Sequence, residues 1–569
     1  MYLAVVPNRD SPPAILLRES IRDGKKVRTR TVANLSFLSM PQVEAMRRVL
    51  RGDVLASPED LFDKLRDQAH GAVDAVRRVI EKLRFEALID KEPSRERDLV
   101  IATVVGRIVA ANSKLGTTRW WETTTLPEDL GIEDAAEDDV YEAMDWLLER
   151  QDAIEERLAK RHLREGGLVL YDLSSSYFEG TTCPLAALGH SRDGNKKGTL
   201  QVNYGLLTDS RGCPVSVSVF KGNTGDPTTL LPQVDKVREK FKIERLVIVG
   251  DRGMITQKQI DTLSKTEGVG WITALKTGAI RKLASSGALQ LGLFDTRNLF
   301  AVEHPDFPGE RLLACKNDDL GKLRAHKRES LLNATTKALE GIQKTVLGGR
   351  LTGKAAIGVR IGKSINKYKV AKHFVLKIND KSFTFERRHD AIAQEAALDG
   401  IYVVRTSIPK EEATDEDAVR NYKKLANVER AFRTMKSISL KVRPIHHRLE
   451  SRVRAHIFLS MLAYYVEWHM REALRPILFS DEDQDAKAKR DPVAPAKRSL
   501  EALRKVHSRE LDDGTPAHSF STLMADLATI TRSTCQRRGA PEGEGTFVLT
   551  TTPNSLQARA LKLLAAIVV

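Results

Sequence analysis

Three acidic residues stand where the sequence predicts the end or the edge of a buried element, and they are the side chains best suited to chemistry. Asp172 lies inside the apolar, strand-like run VLYDLSSSYF, and Asp251 ends the apolar run LVIVGD. Glu429 lies in a helical stretch after a later predicted strand. Open α/β sheets carry reactive groups at the carboxyl ends of their strands, so these positions predict a shared site. Taken singly, Asp172 also fits a turn, and Asp251 also fits a helix N-cap.

Metal binding explains why carboxylates would be tolerated beside a core. Burying a carboxylate costs several kcal/mol unless it is paired or binds a cation. Hard divalent cations take oxygen ligands, and magnesium combines one or two carboxylates with phosphate oxygens. Two such ions about 3.5–4 Å apart stabilise both the attacking and the leaving oxygen of a phosphodiester. The acids therefore indicate metal-dependent phosphodiester chemistry.

The predicted helix around Glu429 combines an apolar stripe with a polar edge. At about 100° per residue, Tyr422 and Lys436 fall within about 20° of Glu429, and Arg433 lies about 40° away. The apolar residues that cluster on the other side are Leu425, Val428, Phe432 and Met435. An acid flanked by cations fits a metal beside a phosphate backbone, and a surface ion-pair ladder is the alternative.

The composition favours a polyanionic partner. The 569 residues carry 91 Lys and Arg against 76 Asp and Glu, a formal net charge of +15, which favours nucleic acid over an anionic membrane. At roughly 100–200 residues per domain, we expect several domains. The chain start does not resemble a signal peptide, and no run of about 18 apolar residues predicts a transmembrane helix. We therefore expect a cytoplasmic protein without a membrane partner.

Most of the excess charge falls in one segment. Residues 311–390 hold 19 Lys and Arg against 7 Asp and Glu. Basic and apolar residues alternate in KYKVAKHFVLKI and KSFTFERR, which predicts strands with one cationic face. Such a face binds phosphates without reading bases, and we assign Lys363, Lys367 and Lys369 to it. A solvated sheet face is the alternative.

Changes in sequence texture divide the chain into six segments of a multidomain α/β protein. We predict a short β segment (1–40), a helical region (41–165), the first part of a catalytic core (166–275), a basic, β-rich insertion (276–399), the second part of the core with the glutamate helix (400–481), and a linker with a helical tail (482–569).

With these residues identified, the chain resembles a bacterial insertion-sequence transposase of the DDE type. The glutamate helix resembles the Y-(2)-R-(3)-E-(6)-K signature, with Tyr422, Glu429 and Lys436 in place and Leu425 where the signature has arginine. YDLSSSYFEG and LVIVGDRGM resemble the strands of the two aspartates, and FKGNTGDPTTL resembles the segment between them.

The resemblance implies an RNase H-like mixed-sheet core in which Asp172, Asp251 and Glu429 bind two Mg²⁺ ions, for which Mn²⁺ can substitute. It implies metal-dependent cleavage and strand transfer at the inverted-repeat ends of an insertion sequence, with transposon and target double-stranded DNA as partners. A homodimer on paired ends and an association with the bacterial nucleoid follow from it. It also implies a mostly β insertion at 276–399 and DNA-end recognition within residues 41–165. The DNA-binding candidates of the core are Tyr422, Arg433, Lys436, Lys441 and Arg443.

Two other functions fit the same residues. A nuclease of the same fold would use the three acids to cut without joining. A DNA-binding protein without activity would keep the basic segment and lose the metal site, and the presence of all three acids ranks it last.

The departure at Leu425 generates a test. A leucine cannot hold a DNA phosphate, whereas the guanidinium of Arg433, one turn beyond Glu429, binds phosphate oxygens in a bidentate manner. We expect Arg433, together with Lys436, to replace the missing arginine. Arg433→Ala is then expected to reduce cleavage and joining of transposon ends more than Leu425→Ala does, in variants with parental thermal midpoints.

The competing view is that Arg433 only pairs with a surface acid, an interaction of about 0–1 kcal/mol. Cleavage and joining at the parental rate in Arg433→Ala would establish that view.

Overall fold

The structure, a computed structural model, describes residues 1–9, 11–53, 61–193, 198–481, 484–495, 497–541 and 544–568. These residues form two compact units, each built from two separate segments of the chain. The first unit comprises Met1–Ala69 and Ile530–Thr552, and the second comprises His70–Thr529 and Pro553–Val569. Parts of the predicted linker, namely residues 482, 483 and 496, lie outside the described residues.

The first unit contains two small antiparallel sheets and a helix. Its strands are β1 (Tyr2–Val6), β2 (Ala14–Asp23), β3 (Lys26–Asn34), β4 (Phe62–Ala69), β16 (Thr531–Arg537) and β17 (Thr546–Thr550), and its helix is Met40–Leu50. The first sheet has the order β1-β2-β3, and the second has the order β17-β16-β4. A small core of Leu3, Ile15 and Val43 joins the first sheet to the helix.

Two predictions of helical structure are wrong in this unit. The region 41–165 was predicted to be helical, but Phe62–Ala69 forms a strand, and the tail 482–569 supplies β16 and β17. The partner of β4 is β16, with Ala69 opposite Thr531. Because strand formation depends on the neighbouring strand more than on local propensity, a pairing this remote leaves no local signal.

The second unit is organised around a nine-stranded mixed sheet. Its strands are β5 (Gly167–Tyr177), β6 (Ala187–Leu188), β7 (Leu200–Thr208), β8 (Pro214–Lys221), β9 (Leu246–Val249), β10 (Val269–Ala274), β11 (Leu299–Val302), β12 (Arg311–Lys316) and β15 (Ile401–Thr406). The order is β11-β12-β15-β10-β9-β5-β7-β6, with β8 paired to β7. β5 is antiparallel to β7 and parallel to β9, and β9 is parallel to β10. The predicted mixed α/β architecture is confirmed.

Helices pack on this sheet and also make up the part of the chain that precedes β5. The helices before β5 are Gly71–Lys82, Phe85–Ile89, Arg95–Val109, Lys114–Trp121, Leu126–Leu130, Glu137–Glu149 and Gln151–His162. Those within and after the core are Asp226–Asp235, Gln257–Leu263, Asp415–Lys423, Leu425–Arg433, Glu450–Ala473, Gln484–Lys489, Leu500–Ser508, Phe520–Leu527 and Ser555–Ala565. Glu450–Ala473 is buried over nearly its whole length, which agrees with the core helix that its apolar sequence predicts.

The insertion at 276–399 is mostly helical, so the prediction of a mostly β insertion is wrong. Its helices are Thr277–Ser285, Asp318–Leu347, Lys354–Ile365 and His389–Ala396, and its own sheet is only the hairpin of β13 (Phe374–Ile378) and β14 (Phe383–Arg387). The 30-residue helix Asp318–Leu347 buries Leu332, Thr335, Leu339, Ile342 and Val346. This spacing is the helical period, and the high lysine content of the segment obscures it.

Within the described residues, no single helix is long and apolar enough to cross a membrane. The helices Arg95–Val109 and Lys114–Trp121 reach the required length and composition only as a pair, and the pair is bent by 93° at its break.

A buried ion pair fixes the helix Gln151–His162 to the sheet and generates a test of stability. Glu155 is fully buried, accepts hydrogen bonds from the Ser216 hydroxyl and the Val217 amide, and pairs with Lys236. Lys236→Met leaves that carboxylate without its cation. We expect a loss of about 3–5 kcal/mol in the free energy of unfolding, measured by urea denaturation.

The matched control is Lys240→Met, four residues along. Lys240 pairs with Asp152, and both side chains are more than half exposed, so its loss is expected to cost less than about 1 kcal/mol. Equal costs in the two variants would contradict the structural role of the buried pair.

Candidate active site

The register of two parallel strands sets Asp172 and Asp251 side by side. The last register pair of β5 and β9 is Leu170 with Val249. Asp172 and Asp251 each lie two residues beyond that pair, at the same edge of the sheet. Because paired strands lie about 4.8 Å apart, both carboxylates reach one small volume.

Glu429 enters the same volume from a helix that packs across the strands. The helix Leu425–Arg433 contacts β5, and its Phe432 ring lies 5.7 Å from the ring of Tyr204 on β7. Val428, Ala431 and Phe432 are buried against the sheet, whereas Glu429 is exposed. The helix is thereby held with its apolar face inward and its acid at the sheet edge.

Electrostatics show that the charges of Asp251 and Glu429 reach Asp172. The pKa of Asp172 is raised to about 7, chiefly by burial and also by the charges of Asp251 and Glu429, against the opposing effects of the Leu173 amide and Arg192. Asp251 is fixed differently, because its Oδ1 accepts hydrogen bonds from the amides of Gly253 at 2.9 Å and Met254 at 2.8 Å. The cluster thus concentrates negative charge that a cation would offset.

Tyr422 borders this cluster, although the helix that carries it is separate. The predicted single helix is divided at Lys424 into Asp415–Lys423 and Leu425–Arg433. The pKa of Tyr422 is raised to about 12, chiefly by burial and also by the charges of Asp251 and Glu429, against the opposing effect of Arg252. Tyr422 therefore lies within the field of both acids, in spite of the break.

Arg192 was missed by the sequence analysis. Its charge lowers the pKa of Asp172, its backbone amide donates to the Ser175 hydroxyl at 3.0 Å, and its guanidinium pairs with Asp226. Asp226 lies in the segment FKGNTGDPTTL that prompted the family resemblance, but Arg192 lies in a loop without periodicity. No local pattern pointed to it.

Lys436 does not lie on the exposed edge that helical spacing predicted, and it shares an acidic partner with the DNA-binding candidate Arg443. The chain passes through a π-helical turn at Thr434–Ile438, which shifts Lys436 away from the face of Glu429. The Lys436 ammonium lies 3.1 Å from Oδ1 of the buried Asp193, and the Arg443 guanidinium lies 2.7 Å from the same oxygen. The prediction that Lys436 shares the open face of Glu429 is therefore wrong.

The remaining candidates occupy open positions. Arg433 and Lys441 are exposed, and Leu425 is half-buried at the start of its helix. In the insertion, Lys363 lies on Lys354–Ile365, and Lys367 and Lys369 follow that helix. All three lysines are exposed, but none lies on the predicted cationic strand, because β13 begins only at Phe374.

The donor set fits a hard divalent cation. Three carboxylates supply oxygen ligands, which magnesium and manganese prefer over nitrogen or sulfur. The raised pKa of Asp172 shows that the nearby Arg192 does not offset the burial of this carboxyl group and the crowding of its neighbours. A bound divalent cation would stabilise the ionised form of all three side chains.

Comparisons with known proteins give two family matches. The family described as "Transposase DDE domain" matches residues 175–466, and the family described as "IS1634 family transposase, N-terminal domain" matches residues 3–59. Asp251 and Glu429 lie inside the first match, and Asp172 lies three residues before it.

No curated protein matches the chain. Among solved structures, the chain is similar to a "Mos1 transposase paired-end complex with left transposon end", at 12% identity and a TM-score of 0.15. That match covers 34% of this chain and 66% of the other, just under two thirds of its length.

Proposed function

The chain belongs to the DDE transposase family, and from that premise we propose that it catalyses metal-dependent DNA cleavage and strand transfer at the inverted-repeat ends of an insertion sequence. The observation that carries the proposal is the convergence of Asp172, Asp251 and Glu429 at one edge of the sheet. Families of this kind normally use divalent metal ions. The three acids are the only catalytic residues that the proposal requires.

We propose that the core of the second unit is RNase H-like. The support is the strand order β8-β7-β5-β9-β10, in which the first three strands are antiparallel and β5, β9 and β10 are parallel. This order places β5 directly beside β9. Asp172 lies on β5, and Asp251 follows β9.

We propose that Asp172, Asp251 and Glu429 hold two Mg²⁺ ions, for which Mn²⁺ can substitute. When bound, such ions stabilise the attacking and leaving oxygens of a phosphodiester. The amides of Gly253 and Met254 fix the carboxylate of Asp251 in one rotamer. Arg192 adds a fixed positive charge beside Asp172, and Tyr422 bounds the site on the side of Asp251.

Double-stranded DNA, both transposon ends and target, is the proposed partner. Exposed Arg433 and Lys441 lie on the segment that carries Glu429, where a phosphate next to the cleaved bond would pass. The insertion adds exposed lysines for the flanking backbone. We further propose a homodimer on paired ends, end recognition within residues 1–165, and a location at the bacterial nucleoid, all of which rest on family membership.

Substitution of the acids tests the site. Alanine is placed at each acid in turn, as Asp172→Ala, Asp251→Ala and Glu429→Ala. Each variant is expected to lose Mg²⁺-dependent cleavage of the element's ends, because it lacks a metal ligand. The affinity of each variant for the ends is expected to stay within about two- to threefold of the parent's, because no DNA contact is removed. Ca²⁺ is expected to support binding with little cutting, since it accepts a looser ligand shell than Mg²⁺. Cleavage is followed on labelled ends in gels, and binding by mobility shift.

The control is Asp261→Ala, which removes an exposed carboxylate from the nearby helix Gln257–Leu263 and is expected to leave cleavage unchanged. Full activity in any triad variant removes that residue from the site, and undiminished cleavage in chelator removes the metal. Cleavage without joined products would indicate the nuclease instead.

The insertion is tested through salt dependence. Each phosphate contact contributes about 0.9 to the slope of log K against log salt concentration. Reversing the charges of Lys363, Lys367 and Lys369 to glutamate is expected to weaken binding to all DNA sequences and to flatten the slope by up to about 2.7. The triple Lys→Arg variant keeps the charge and is expected to keep the slope. An unchanged slope after charge reversal would show that these lysines only face solvent.

A further inference from the structure

A cluster of basic side chains lies buried away from the three acids. Arg107 lies on Arg95–Val109, and Lys114 is the first residue of Lys114–Trp121. His456 lies on Glu450–Ala473, and His447 precedes that helix. Arg107, Lys114 and His456 are each only 6% exposed, and His447 is half-buried. Such burial is unusual for Arg and Lys unless they are paired with an anion.

Both ring nitrogens of His456 are occupied by hydrogen bonds, one of them to Arg107. The Arg107 Nη2 donates to His456 Nδ1 at 2.9 Å, and His456 Nε2 donates to the Val442 carbonyl at 3.1 Å. These two bonds require the neutral tautomer that carries its proton on Nε2. The imidazole therefore orients the guanidinium and adds no positive charge of its own.

The other three groups repel one another. Among the residues that the structure describes, none hydrogen-bonds or ion-pairs with the Lys114 ammonium, and this nitrogen is not one of the fully buried unpartnered atoms, so it keeps contact with solvent. Burial lowers the pKa of Lys114, and the charge of Arg107 lowers it further. The pKa of His447 is lowered to about 3, chiefly by burial and also by neighbouring cations. Those cations are Lys114, Arg107, Arg452 and His446.

The acid at the outer side of the cluster, Asp145, pairs with a different cation and keeps one buried oxygen without a hydrogen-bond partner. Asp145 lies 3.6 Å from Arg452, which stacks on the ring of Tyr141 at the outer side of His447. An unpaired buried charge costs several kcal/mol, and the lowered pKa values of Lys114 and His447 reflect that cost, so an anion from outside would stabilise the protonated forms of this cluster.

We propose that Arg107, Lys114 and His447 bind an oxyanion of the phosphate class, with His456 as the positioning residue for Arg107. The guanidinium offers a fork of donors, the ammonium a point charge, and the imidazole a third donor, which together match the several oxygens of a phosphate. The turn before Lys114 gives access, because Asn112 and Ser113 are exposed. The phosphate comes either from solution or from a DNA backbone.

The site connects to the acids through the segment that contains His447. Within that segment Arg443 bonds to Asp193, and the Ile445 backbone bonds to Tyr177 and Glu179, at and just beyond the end of β5. β5 carries Asp172. An anion on His447 therefore fastens the far end of the segment that borders the strand of the first acid.

The test is a thermal melt of the full chain in sodium phosphate against sodium chloride at equal ionic strength. An anion that binds only the folded state raises the midpoint, and at about 100 times its Kd we expect a rise of about 2–5 °C. Lys114→Met is expected to lose that rise. Lys505→Met is the matched control, because Lys505 is equally buried but donates to the Pro476 carbonyl, and it is expected to keep the rise.

A second experiment identifies whether the phosphate comes from solution or from DNA. Only this second experiment rests on the proposed DNA binding. This experiment applies if free phosphate does not raise the thermal midpoint of the parent. Lys114→Met is then expected to flatten the slope of log K for DNA binding against log salt concentration by about 0.9, measured in phosphate-free buffer. Lys505→Met is expected to leave that slope unchanged. The proposal is overturned if Lys114→Met keeps the phosphate-induced rise, or if neither arm responds. Should Lys114→Met fail to fold, His447→Phe replaces it in both arms. Neither arm uses cleavage, so loss of activity in the triad variants bears on the proposed function alone.

Discussion

Two carboxylates serve one metal site only if the backbone brings them to the same depth, and the parallel pairing of β5 with β9 does this. Leu170 opposite Val249 fixes the register, and the next two residues of each chain lead to Asp172 and Asp251. A shift of one residue would turn one of the two side chains to the other face of the sheet. The position of the glutamate helix follows from the same sheet, since Phe432 packs on Tyr204 of the neighbouring strand.

The cations near this sheet have separate functions. Arg192 acts on Asp172 while it is held by Asp226, and Lys436 and Arg443 share one oxygen of the buried Asp193. Asp193 also accepts from the Tyr177 amide at 2.7 Å, so it joins the end of β5 to the chain that follows the glutamate helix. These basic residues therefore hold the elements around the three acids together.

Local pattern revealed the acids because each follows or interrupts an apolar run that is itself a strand or helix. Asp193 and its partners could not be predicted in this way, since they are 243 and 250 residues apart in sequence. The π-helical turn at Thr434–Ile438 likewise breaks the assumption of 100° per residue on which the position of Lys436 depended. In the insertion, both the alternation in KYKVAKHFVLKI and KSFTFERR and the family resemblance favoured strands, whereas Leu332, Leu339 and Val346 recur at the period of a helix.

The second sheet of the first unit closes between residues that are far apart along the chain, as in Ser533 and Asp67, which are 466 positions apart. On a ribosome that adds about 5–20 residues per second, β4 is synthesised roughly 20–90 s before its partner strand β16. During that interval it presents an open strand edge, which the alternating charges of FDKLRDQA protect from pairing with other chains. The first unit is thus completed only after β16 has been synthesised, and a message cut short before β16 would yield a chain whose first unit never closes.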